Sequence, residues 1–114
     1  MARGDLLLVD LPPTPGGREQ TGSRPAVAVQ TDDVGSDLPT LMVVPLTGQL
    51  GALRFPFTVR IEPTTANGLT KPSVLLVFQL RAIDRRRVIA KLGRLEQEHI
   101  ERLDTEMRSL LNLH

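Results

Sequence analysis

The chain has 114 residues, 40% of them apolar and 24% charged, with a net charge of +1 and no cysteine. That length suits a single domain spanning 1–114 with its own core, and the composition excludes a disordered or low-complexity chain. The missing cysteines rule out disulfides, thiolate nucleophiles and Cys-ligated zinc and fit a reducing, cytoplasmic compartment, while the small net charge argues against a generic basic nucleic-acid binder.

The first apolar run, "DLLLVDL" over residues 5–11, is bounded by Gly4 and the Pro12-Pro13 pair and reads as a buried strand. Its apolar part is too short for a signal peptide or a membrane span, so no membrane association is expected. A loop over residues 12–24, broken by Pro15, Gly16, Gly17 and Gly22, leads into "PAVAVQ" (25–30), an alternating β-branched strand. "TLMVVPL" (40–46) is a third strand, in which Pro45 requires an edge or a bulge. "FTVRI" (57–61) alternates as a fourth, and "VLLVFQL" (74–80) reads as one continuous apolar strand. "RRRVIAKLGRL" holds one helical turn and a short sixth strand. From Glu96 the period becomes helical, with Ile100, Leu103, Met107, Leu110 and Leu111 on one face. Short strands plus one terminal amphipathic helix predict a mainly β protein: a small barrel, or a strongly bent sheet with the helix packed on it.

Elimination narrows the chemistry. The two histidines, His99 and His114, fall in and at the end of the helix, which disfavours a paired-imidazole site. Asp32, Asp33 and Asp37 do not match a calcium loop, and no P-loop is present, so neither metal nor cofactor is expected. Twelve of the fourteen basic residues are Arg; GC-rich codon usage explains such an excess, although the planar fork of Arg also suits phosphate. Polar groups collect at strand ends: Glu19, Gln20 and Arg24 in the first loop, Thr47 after the third strand, and Ser73, Gln79 and Arg81 around the fifth. In "FQLRAID", Gln79 and Arg81 are expected on one strand face, with Asp84 placed to pair with an arginine at a corner. Arg, Thr, Gln and Glu can support RNA cleavage without metal or histidine, because RNA carries its own nucleophile in the 2′-OH.

Six ordered blocks, "RGDLLLVDLPPT", "G-x-EQ-x-G-x-RP-A-V-x-V", "VVPLT", "FPFTV", "SVLLVFQLRAID" and "KLGRL", resemble the MazF/PemK family of toxin endoribonucleases from bacterial toxin–antitoxin modules, over nearly the whole chain. The resemblance implies an SH3-like β-barrel with appended helices and a homodimer. It also implies metal-independent cleavage of single-stranded RNA to a 2′,3′-cyclic phosphate and a 5′-OH, neutralised by a cognate antitoxin. The family's catalytic pair maps to Arg24 and Thr47; Glu19, Gln20, Ser73 and Gln79 map to substrate-binding or site-shaping positions, with Arg81 beside them. Pro25 restricts Arg24 to extended backbone and so helps to aim it.

The chain also departs from that pattern. Phe78 stands where the family often has Glu, and Ala82 where it often has Thr. With no Trp or Tyr and only Phe55, Phe57 and Phe78, aromatic stacking of bases is limited, leaving loop hydrogen bonds and Arg stacking to choose among bases. Two alternatives stand beside the nuclease: a non-catalytic toxin of the same fold that grips a protein such as DNA gyrase, and a degenerate homologue kept for antitoxin binding.

Overall fold

The computed structural model describes residues 1–13, 17, 21–30 and 37–113. Among them lie seven strands, β1 (Asp5–Leu11), β2 (Gly22–Ala28), β3 (Thr40–Thr47), β4 (Thr58–Ile61), β5 (Ser73–Leu76), β6 (Arg81–Asp84) and β7 (Val88–Arg94), and one helix, α1 (Gln97–Leu111). Neighbouring strands pair antiparallel in the order β4-β5-β3-β2-β1-β7, with β6 on the edge of β3. The mainly β class with a terminal helix agrees with expectation; among the described residues the sheet is bent rather than closed, since its end strands β4 and β7 do not pair with each other. Register shifts between β1 and β7, at Leu6/Leu7 and Leu8/Val9, add local twist of the kind that curls a sheet.

The curl gives the central strands two cores. Side chains alternate across a strand, so Leu6, Val27, Val44 and Leu46 enter one cluster with Ile100 and Leu103 of α1. Leu7, Val9, Ala26, Ala28, Leu41 and Val43 enter a second on the opposite face. Apolar residues on both faces explain why the strands read as nearly continuous hydrophobic runs. The helix is tied down by an ion pair from Arg3 to Asp104 and ends at Asn112 in the left-handed conformation (φ 55°), where its N–H meets the last carbonyls. Leu111 is 51% exposed, so the buried helix stripe stops short of it. None of the described helices is long and apolar enough to cross a membrane.

Three expectations need correction. The run over 74–80 is not one strand: β5 stops at Leu76, a 3-10 turn occupies Val77–Gln79, and β6 resumes at Arg81. Both segments lie along the same edge of β3, β5 pairing Leu46 and Thr47, β6 pairing Thr40 to Val43. The turn falls opposite Val44 and Pro45. Pro45 has no N–H to give, and this break is the irregularity that lets a proline occupy a central strand. The turn also separates Gln79 from Arg81, which do not share a strand face. The second correction concerns β2, which begins at Gly22, so Arg24 lies inside a strand, paired with Val9 of β1, and not in the preceding loop. The third concerns the last strand, which is longer than expected and pairs along β1 from Asp5 to Val9.

Candidate active site

β2 and β3 pair through Ala26 opposite Pro45, where the ladder ends. Carrying that register two residues further sets Arg24 across from Thr47. Both line a cavity of about 230 Å³ whose other walls include Gly48, Lys71 and Ser73. Arg24 is exposed, its Nε donating to the Thr21 carbonyl at 3.1 Å. That bond uses the Nε–H and leaves the donors of the two terminal nitrogens for a ligand.

Thr47 is 4% exposed, at the end of β3 opposite Val74 of β5. Its hydroxyl oxygen accepts the Gln49 N–H at 3.2 Å, a local turn contact that fixes the side chain while leaving its own proton available to donate. Ser73 is equally buried, and its hydroxyl donates to the Lys71 carbonyl at 3.1 Å. A second cavity, about 430 Å³, adjoins the first through Thr47 and contains Gln79, Gln49, Arg54, Phe55 and Phe78. Thr47 therefore brings Arg24 and Ser73 to one side and Gln79 to the other. Arg81 lines neither cavity: it sits on β6 opposite Val43. Glu19 and Gln20 lie outside the described residues.

Two residues that sequence reasoning passed over shape the site. Lys71 lies against Gly48, so that a Cβ built on the glycine would stand 2.5 Å from Lys71 Cε and 2.7 Å from Nζ. Its side chain has no carboxylate partner among the described residues. The described lining of the first cavity thus holds two cations, Arg24 and Lys71, and no acid, an arrangement suited to an anion. The visible signal was a lysine two positions before Ser73, in a chain with only two lysines.

The other is Asn67, wholly buried. Its Oδ1 accepts the N–H groups of Thr64 and Leu69, both at 3.0 Å, and its Nδ2 donates to the Glu62 carbonyl and the Glu96 carboxylate, both at 2.9 Å. Four bonds from one amide pin the turn that forms the cavity's wall. Gly68 follows at φ +73°, where a Cβ would meet the Leu92 carbonyl at 2.1 Å, so the turn can press on β7 only with glycine there. At the far corner Asp84 behaves as its position suggested: it pairs with Arg86 at 2.9 Å and accepts the Arg86 N–H, which together hold its carboxyl down at about 2. No group of three or more His, Asp or Glu side chains comes together as a metal site among the described residues.

A family profile described as PemK-like, MazF-like toxin of type II toxin–antitoxin system matches residues 2–111. The chain belongs to that toxin family. A curated relative, Endoribonuclease MazF of Staphylococcus saprophyticus, is 36% identical over 114 residues, covering 100% of this chain and 93% of the relative. Among solved structures, MazF from Deinococcus radiodurans superimposes with a TM-score of 0.81 at 24% identity, covering 98% of this chain and 96% of that one. A mycobacterial endoribonuclease in complex with its cognate antitoxin gives 0.76 at 18% identity, covering 100% and 97%. The toxin fold is therefore matched over essentially the whole chain, the strands that carry Arg24, Thr47 and Ser73 included.

Proposed function

We propose that this toxin is a metal-independent endoribonuclease that cuts single-stranded RNA at the cavity shared by Arg24 and Thr47. The observation that carries the reading is that cavity itself: two cations, a buried threonine hydroxyl and no carboxylate among its described lining residues. The scissile phosphate sits between Arg24 and Lys71. The 2′-oxygen of the preceding ribose attacks phosphorus and gives up its proton, the bond from phosphorus to the 5′-oxygen breaks, and that oxygen takes a proton. The products are a 2′,3′-cyclic phosphate and a 5′-OH. Arg24 supplies forked donors to the phosphate oxygens as charge builds. Thr47 donates its hydroxyl proton to the same group. Ser73 and Gln79 contact the flanking nucleotides, with Arg81 further along the strand's path; Glu19 and Gln20 are assigned to substrate binding on sequence grounds alone.

The relative named as an endoribonuclease supports this over a toxin that only grips a protein. The solved complex of a related toxin with its antitoxin supports a cognate antitoxin as partner, and an acidic segment would compete with RNA for the two cations. The working unit is a cytoplasmic homodimer; light scattering at micromolar concentration should give twice the chain mass.

The purified protein should cut single-stranded RNA in excess EDTA. Replacing the ribose 5′ of the cut phosphate by deoxyribose should stop cleavage and preserve binding. Cutting of that substrate would make water the nucleophile and overturn the mechanism.

A further inference from the structure

We infer that the cluster of Arg54, Phe55 and Phe78 is a nucleobase-binding subsite that sets base preference beside the cut. The inference rests on the ribonuclease reading above and concerns a part of the surface that the proposed chemistry does not use. The two rings meet edge to face, with centroids 5.5 Å apart and an interplanar angle of 62°. The Arg54 guanidinium lies over Phe55 at 4.4 Å from the ring centre. Phe55 is 40% and Phe78 37% exposed, so two of the three aromatic residues in the chain spend much of their area in solvent at one spot.

The cluster is held in advance of any ligand. Arg54 Nη1 donates to the Gly51 carbonyl at 3.0 Å, and Thr58 donates its hydroxyl to the Phe55 carbonyl at 2.9 Å. Phe78 is carried out of the sheet by the 3-10 turn at Val77–Gln79, the break that replaced an expected strand. Preorganised rings and a guanidinium face lose little freedom when a base stacks on them.

Position selects the occupant. The cavity the cluster lines is also lined by Thr47, Gln49 and Gln79. At about 430 Å³ it falls in the range of small-ligand sites. A strand of RNA whose phosphate rests at Arg24 and Thr47 must place a neighbouring base near Thr47's other side. There the rings offer stacking, Arg54 offers both stacking and charge, and the glutamine amides suit hydrogen bonding to a base edge.

The test is cleavage of a random-sequence RNA pool, with cut ends mapped by sequencing, by the wild type and by Phe55→Ala, Phe78→Ala and Phe78→Leu. The expected result is that the alanine variants bind an uncleavable oligonucleotide about 5- to 150-fold more weakly, the value of one stacked base, and that their base preference at one position next to the cut weakens. Phe78→Leu keeps apolar volume and guards the fold, and should lose the same preference in part. In parallel, an uncleavable oligonucleotide carrying 2-aminopurine at that position should be quenched on binding wild type and not on binding the alanine variants. An unchanged base profile in variants that still cut would overturn the subsite and leave the nuclease standing. Failure of the wild type to cut any RNA would remove the nuclease reading, and absence of 2-aminopurine quenching at every position tried would remove the subsite separately. A variant that becomes monomeric by light scattering with its base profile intact would identify the patch as a subunit contact and overturn the proposal.

Discussion

Lys71 rests on Gly48: the space a Cβ would take on that glycine is already filled by the lysine's Cε and Nζ, at 2.5 and 2.7 Å. The contact places an ammonium beside Thr47 and makes the bare backbone at position 48 a requirement of the charge arrangement. Gly48→Ala should displace a flexible side-chain end and leave the fold intact. RNA binding should weaken as it does in Lys71→Ala, and the double variant should be no worse than either single one. In filter binding across a salt series, loss of one phosphate contact should reduce the slope of log K against log salt by about 0.7.

Arg24 and Thr47 should separate in what they do to stability. Arg24→Ala removes an exposed side chain and should lower the cleavage rate about a hundredfold or more with little change in melting. Arg24→Lys should restore little, because an ammonium cannot reproduce the fork. Thr47→Ala should slow cleavage to a similar degree and also cost about 1 kcal/mol, since its buried hydroxyl accepts the Gln49 N–H. Thr47→Ser should recover the stability. Single-turnover cleavage and urea melts on the same four proteins check this.

Asn67→Ala should be among the more damaging substitutions outside the chemistry. It strips partners from two N–H groups, one carbonyl and one carboxylate in a buried turn, at a cost of about 2–3 kcal/mol. The cavity wall carrying Lys71 should loosen with it. A lower urea midpoint together with weaker RNA binding is the expected pair of results; a normal midpoint would mean that water replaces the amide.

The Asp84 carboxyl, held at about 2 chiefly by the side-chain hydrogen bond from Arg86, gives a pH signature. A carboxyl lowered in the folded state stabilises it above the unfolded value, near 3.9, and that contribution is lost as pH falls toward the folded value. Wild type and Asp84→Asn should therefore differ by a constant amount above about pH 5 and converge as pH drops toward about 2. Asp5 titrates low as well: burial pushes it up, but the Ala2 N–H, Lys91 and Arg94 outweigh that effect. Comparing the two proteins, each of which retains Asp5, isolates Asp84 from it.

Much of this arrangement could be read before any coordinates. The apolar runs of β1 to β5, the amphipathic spacing of α1 and the pairing of Asp84 at its corner follow from local periodicity and charge. So does the placing of Thr47 and Ser73 at strand ends, whereas Arg24, expected in the loop, lies inside β2. Periodicity failed at 74–80, because a continuous apolar run records that residues are buried and not whether the backbone stays straight. The break there falls opposite Pro45 on the neighbouring strand, a pairing across the sheet that a local apolar run does not record.

The sequence by itself determined the family, the mainly β class with a terminal helix, and the candidate residues, since each depends on residue types in order along the chain. Only the tertiary structure decided which of those residues meet. Arg24 and Thr47 come together because β2 and β3 share a register, and Gln79 parts from Arg81 because a turn intervenes. Lys71 joins the site because a buried asparagine folds its loop over a glycine, and Phe55 meets Phe78 because the 3-10 turns Leu50–Arg54 and Val77–Gln79 bring them to one surface. Contacts between residues distant in the chain are set by sheet register and by how turns pack, and no local pattern encodes either.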